Sequence, residues 1–209
     1  MKNAIIFDLD GTLWDSSKQV ADSWNLVFEQ FPETKVKLDK NILQGLMGKT
    51  LPMIAKELMP DISNLQRLYI MGECTKSEYE YLSKNGGLLF SGLEQTLETL
   101  KKDYFLAIVS NCMDGYIQTF LKFNKFETYF SDFECARTGK VKGENIKGVI
   151  RRNNIEKAVF IGDTQSDFEA AKLADIPFIH AAYGFGHPNE QTDSISDITN
   201  LPEAIKKYF

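Results

Sequence analysis

Residues 4–9, Ala-Ile-Ile-Phe-Asp-Leu, form a short apolar run that ends in acidic residues and Gly11, as expected of a strand buried on both faces. Comparable runs return at 105–109, 158–161 and 177–181. Between them the apolar period changes. Leu93/Leu97/Leu100, Ile117/Phe120/Leu121, Ile146/Val149/Ile150 and Phe168/Ala171 recur every three or four residues, the spacing of one helix face. Strands alternating with helices predict an α/β fold with a parallel sheet covered on both faces.

From 16 to 87 the pattern differs. Val20, Trp24, Val27, Phe28 and Phe31 share one helical face, and no strand-like run occurs before Leu88. Thr50-Leu51-Pro52 reads as an N-cap followed by a first-turn proline, and Pro32 and Pro60 punctuate the neighbouring helices. A further capped start at 61–64 leads into Leu65, Leu68 and Tyr69. The stretch ends at Gly86-Gly87, a pair suited to a hinge. The expected organisation is an α/β core of residues 1–15 and 88–209, with an all-helical cap of residues 16–87 inserted after the first strand.

A length of 209 residues suits a core carrying a smaller insertion better than two full domains. Apolar and charged fractions of 43% and 25% are those of an ordinary globular chain, which excludes disordered and fibrous classes. The net charge of −5, with no clustered Lys/Arg run, argues against nucleic acid or an anionic membrane surface as the main partner. A small anionic ligand stays open if its site supplies positive charge. Cys74, Cys112 and Cys135 have no paired metal-ligand spacing and read as free thiols of a reducing compartment. With no signal-like N-terminus and no bilayer-length apolar stretch, the expected location is cytoplasmic.

The first strand runs into Asp8-Leu9-Asp10-Gly11-Thr12-Leu13, at the carboxyl end where open α/β sheets place ligands. A two-residue period lets Asp8 and Asp10 face one crevice. One carboxylate, kept ionised by a cation, can attack phosphorus, while the other passes protons to and from the leaving and attacking oxygens. Asp-x-Asp alone also fits a turn or helix cap. A second acidic group, Gly162-Asp163-Thr164-Gln165-Ser166-Asp167, follows the run at 158–161 in the same way. Carboxylates from two strand ends can share a hard cation such as Mg2+, with Asp163 a direct ligand. Asp167 reads as a ligand, a support for one, or a first-turn helix carboxylate. Ser110-Asn111 offers a hydroxyl and backbone N–H groups near the next helix, either a phosphate seat or an ordinary turn. Lys140 or Lys142, ahead of a helix expected near Glu144, could bring an ammonium to the phosphate, and Lys142 is favoured.

Taken together, these motifs resemble the haloacid dehalogenase-like hydrolase superfamily, in its phosphoglycolate-phosphatase-like branch with a helical cap. Four motifs stand in that family's order: Phe7-Asp8-Leu9-Asp10-Gly11-Thr12-Leu13, Val109-Ser110-Asn111, the lysine at 140 or 142, and Ile161-Gly162-Asp163-Thr164-Gln165-Ser166-Asp167. The first and last are specific; the middle two carry meaning only in that frame. The resemblance implies a Rossmann-like core, a Mg2+ cofactor and a small phosphorylated metabolite as substrate. It implies Asp8 as nucleophile and metal ligand, and Asp10 as general acid/base whose backbone carbonyl also binds the metal. Ser110 and Asn111 would bind phosphate, Asp163 the metal, and Asp167 would support Asp163. The family lysine is commonly followed by proline, whereas Gly143 follows Lys142, which keeps Lys140 open.

Met47-Gly48-Lys49-Thr50 lies where related proteins often contact the leaving group, making Lys49 a substrate-binding candidate, with solvated surface the alternative. Tyr183-Gly184-Phe185-Gly186 resembles a family loop near the site but equally fits a glycine-rich turn. His180 and His187 are given no catalytic part. The expected activity is a magnesium-dependent phosphatase working through an aspartyl-phosphate. A sugar phosphomutase would use the same residues, although Thr12 resembles the phosphatase members. Asp10 counts against a dehalogenase, and the full set of acids counts against a non-catalytic phospholigand-binding protein.

Overall fold

A computed structural model describes residues 2–209 of the chain. The apolar run at the start forms strand β1 (Asn3–Phe7), which stops before Asp8 and leaves both aspartates beyond the sheet edge. A two-residue strand β2 (Trp14–Asp15) leads into the helical segment: α1 (Ser17–Phe28), α2 (Lys40–Gln44), α3 (Leu51–Leu58) and α4 (Asn64–Asn85). The chain returns through β3 (Leu88–Leu89), which pairs antiparallel with β2. There follow α5 (Leu93–Leu100), β4 (Phe105–Val109), α6 (Tyr116–Asn124), β5 (Asp132–Glu134), α7 (Lys142–Arg152) and β6 (Lys157–Gly162). The chain finishes with α8 (Gln165–Ala174), β7 (Phe178–Ala181), β8 (Asp193–Ile195) and the short α9 (Leu201–Ala204).

Six strands form one parallel sheet in the order β5-β4-β1-β6-β7-β8. β1 is central, and the chain builds outward to one edge before crossing to the other. The crevice at that reversal lies beyond the carboxyl ends of β4, β1 and β6, the usual ligand position in such sheets. Side-chain alternation explains why the strands read as continuous apolar runs. Ile5, Phe7, Leu106, Ile108, Val159 and Ile161 join one core cluster with α5 and α6, while Ala4, Ile6, Ala107, Val109 and Phe160 join a second with α7 and α8. Each fully buried aliphatic or aromatic side chain contributes roughly 1.5–3 kcal/mol of transfer free energy. The first cluster continues without a break into Val20, Trp24, Leu43 and Ile70 of the helical segment, which seats that segment over the sheet end.

The expected strands and helices all form, with end shifts of a few residues. The helix expected near Glu144 begins at Lys142. Ser110 and Asn111 precede a loop, and α6 starts only at Tyr116, so the expected nearby helix start lies several residues further on. β2, β3, β5 and β8 are two or three residues long, too short for a period of two to register. The Gly86-Gly87 pair is more confined than a hinge would be. Gly86 has φ 63° and ψ −169°, a conformation essentially restricted to glycine, and an added Cβ would lie 2.0 Å from the Phe123 ring. A Cβ on Gly87 would meet the Trp14 ring at 2.7 Å. Close approach is the reason for both glycines.

Candidate active site

Asp8 and Asp10 leave the end of β1, and Asp163 leaves the end of β6, the neighbouring strand. The Asp8 N–H still donates to the Ile161 carbonyl, 2.8 Å away, which locks the two strand ends together. Gly11 turns the chain at φ 82°, and a Cβ there would stand 2.2 Å from Asp163 Oδ2. Only glycine lets the two acidic loops close on one another.

Asp8, Asp163 and Asp167 each offer one carboxylate oxygen, and these oxygens lie within 4.8 Å of one another. Lys142, the first residue of α7, is buried with them, its Nζ donating to Asp8 Oδ1 and Asp167 Oδ1 at 2.6 Å each. Lys140 is exposed, so geometry brings Lys142 and not Lys140 to the nucleophile candidate. Asp167 also caps its own helix: Oδ2 accepts from the Thr164 N–H at 3.0 Å and the Thr164 hydroxyl at 2.7 Å. Asp167 is thus a first-turn carboxylate that also lies within the acid cluster, and both its oxygens already have donors. Asp163 Oδ2 accepts from the Phe185 N–H at 2.7 Å, whereas Asp163 Oδ1 is buried without a partner.

Burial raises the pKa of Asp8 and Asp163, and the neighbouring Asp167 charge raises both further; Lys142 opposes the rise. Burial also works against the Lys142 ammonium, but Asp167 and Asp8 outweigh it and hold the group charged. When all are ionised, three carboxylates facing one ammonium carry two negative charges in excess, the deficit that one divalent cation fills. With its all-oxygen donors and the orphaned Asp163 Oδ1, the cluster fits a hard cation.

The Asp10 carboxylate stands apart from that cluster. Its Oδ1 accepts from Trp14 Nε1 at 2.9 Å and from the Ser16 and Tyr116 hydroxyls at 2.8 Å each. Burial drives its pKa up to about 6 against the pull of those three donors. Burial and the Asp10 charge in turn hold the Tyr116 phenol protonated. Trp14, Ser16 and Tyr116 went unread in the sequence, and Tyr116, 106 residues from Asp10, carries no local signal for the contact.

Ser110 is buried at the end of β4, and Asn111 Nδ2 donates to the Gly48 carbonyl at 2.9 Å, tying the sheet end to the helical segment. Both line a cavity shared with Asp8, Asp10 and Lys49. The Lys49 ammonium is paired with Glu57 at 2.6 Å. The Tyr183-Gly184-Phe185-Gly186 turn belongs to the site, since Phe185 holds Asp163 and the Tyr183 hydroxyl donates to the Thr12 carbonyl at 2.9 Å. His180 Nε2 contacts the Gly186 carbonyl at 3.1 Å, and neither histidine enters the acid cluster.

No helix among the described residues is long and apolar enough to cross a membrane. In comparisons with known proteins, residues 5–181 match the model of the haloacid dehalogenase-like hydrolases. A phosphoglycolate phosphatase of Aquifex aeolicus is 28% identical over 199 residues, covering 90% of this chain and 88% of its own. The pyrophosphatase PpaX of Listeria monocytogenes is 26% identical over 177 residues, covering 82% and 79%. Among solved structures, one described as a predicted phosphoglycolate phosphatase from Haemophilus somnus superposes with a TM-score of 0.85 at 19% identity, covering 98% of both chains. A predicted phosphatase from Clostridium acetobutylicum gives 0.81 at 22% identity, covering 99% of both. At such identities the superpositions establish the fold. The family match, which takes in the strand-end acids and Lys142 alike, shows that the chain belongs to the haloacid dehalogenase-like hydrolases.

Proposed function

We propose that the protein is a magnesium-dependent phosphatase of small phosphate monoesters, with Asp8 as nucleophile. The observation that carries this reading is the acid cluster, with its uncompensated charge and orphaned Asp163 Oδ1 beside a carboxylate already held by a buried lysine. Asp8, Asp163 and the Asp10 backbone carbonyl would hold Mg2+, with Asp167 fixing the surroundings. When bound, the ion would neutralise phosphate charge and keep Asp8 ionised.

An Asp8 oxygen attacks phosphorus as the bond to the leaving oxygen breaks, and Asp10 gives that oxygen its proton. Water then surrenders a proton to Asp10 and attacks phosphorus; the bond to Asp8 breaks and inorganic phosphate departs. A pKa of about 6 suits Asp10 to both transfers near neutrality. Ser110 and the backbone beside it seat the phosphate, and Lys142 offsets charge on its oxygens. Residues 16–87 act as a cap that closes over the substrate and excludes water, around a core of 1–15 and 88–209. The protein works in the cytoplasm on a small phosphorylated metabolite.

Phosphate release from a panel of monoesters, with Mg2+ or with EDTA, tests the reading. Release should require Mg2+ and fall by more than about a thousandfold in Asp8→Asn. Equal release in EDTA, or a fully active Asp8→Asn protein, would overturn it.

A further inference from the structure

The cavity that receives Asp8 and Asp10 has a third acidic wall group, Glu78 of α4. Glu78 is 9% exposed, and its Oε2 accepts from Trp24 Nε1 at 2.7 Å. Its other oxygen, Oε1, has no hydrogen bond from any described residue. Most of the remaining wall is apolar, including Val20, Trp24, Leu43, Leu46, Leu51 and Ile54. The cationic side chain lining the cavity, Lys49, is already paired with Glu57. The space, shared with the phosphate seat at Asp8 and Ser110, measures about 70 Å3 against the roughly 10–15 Å3 that one water needs, which keeps the leaving group small.

A leaving group with its own carboxylate or phosphate would enter a largely apolar wall in which, among the described residues, the cationic side chain Lys49 is already paired with Glu57. An alkyl group would satisfy the apolar wall and leave Oε1 unmatched. A hydroxyl donates and accepts, so it pairs with Oε1 whether or not Glu78 carries a proton. Burial, together with the charge on Asp10, pushes Glu78 up to about 8, which weakens any attraction it would have for an ammonium.

Building on the phosphatase reading, we propose that Glu78 selects the leaving group, and that the substrate is the phosphate monoester of a small, otherwise apolar alcohol bearing a further hydroxyl and no second anionic group. The two named relatives act, by their names, on phosphoglycolate and pyrophosphate, both of which carry a second anion, which the apolar wall of this cavity disfavours.

The test is kcat/KM for ω-hydroxyalkyl phosphates of two to five carbons, n-alkyl phosphates of matched length and 2-phosphoglycolate, in wild type, Glu78→Gln and Glu78→Leu. In wild type the best hydroxyalkyl ester should exceed its alkyl match by at least about tenfold and phosphoglycolate by more. That preference should collapse in Glu78→Leu, with gain on the alkyl ester, and should persist in Glu78→Gln, which keeps an uncharged polar group in the same place. A structural role for Glu78 would lower all rates together and leave the ratios alone. Preference for phosphoglycolate, or a hydroxyl preference that survives Glu78→Leu, would overturn the proposal. Calorimetric binding of the same esters to Asp8→Asn protein, with and without Glu78→Leu, reads the selection apart from chemistry. Absence of hydrolysis from every ester would therefore count against the phosphatase reading, while equal binding of hydroxyalkyl and alkyl esters would count against Glu78.

Discussion

At Lys142 one ammonium answers two buried carboxylates, and removing it leaves Asp8 Oδ1 and Asp167 Oδ1 without their donor. Lys142→Met should lower stability by about 3–5 kcal/mol in urea denaturation and cut phosphate release by about a hundredfold or more. Lys140→Met, at an exposed side chain, should change neither measurably. Glu78 has a different signature. Its folded pKa of about 8 lies above the ordinary 4.5, so between those values the native protein keeps a proton that the unfolded chain has released. Stability is favoured at low pH and lost as pH rises through this window, by at most about 1.4 kcal/mol per pH unit. Above about 8 both states are ionised and the slope vanishes. Glu78→Gln removes this slope, so the variant should gain on wild type between pH 5 and pH 9 when unfolding free energies are compared. The four aspartates were legible because each sits within a few residues of a strand end. The partners of Asp10 were not, because Tyr116 reaches it from a helix 106 residues away.

Among the elements, the sheet was readable because burial on both faces makes its strands apolar throughout, and the helices were readable by their three-to-four spacing. The β2–β3 ribbon that joins the helical segment to the core was not. It has two residues per strand, and Leu88 is exposed, so neither alternation nor burial marks it. Its neighbouring glycines likewise looked like flexibility in sequence, and proximity to Phe123 and Trp14 gives them another purpose. Gly86→Ala should destabilise the protein by about 1–3 kcal/mol from backbone strain, with the displaced Phe123 adding to the loss. A denaturation midpoint equal to wild type would contradict that account.

For the molecule as a whole, the charge deficit at the sheet end couples metal binding to stability. If Asp8 and Asp163 hold Mg2+, a concentration about 100 times Kd should stabilise the native state by about 2.7 kcal/mol. A melting temperature that rises with Mg2+ and returns with EDTA checks this. Asp163→Asn should abolish the rise, since it removes a charge and alters the buried oxygen that lacks a partner. The helical segment shares a continuous apolar cluster with the sheet, and Asn111 bonds to the Gly48 carbonyl across the cavity. Asn111→Ala should loosen that closure and raise KM more than it lowers kcat, as steady-state kinetics with a single ester would show.

The sequence alone determined the parallel α/β core, the helical insertion, the family resemblance and the acids at the ends of β1 and β6. Periodicity and short motifs are local properties, and neighbouring residues write them into the chain. Tertiary structure decided that Lys142 rather than Lys140 meets Asp8, that three donors converge on Asp10, and that Glu78 faces the same cavity as the nucleophile candidate. Those contacts join positions far apart in sequence. Burial, charge and close approach fix them only when the helices settle over the sheet.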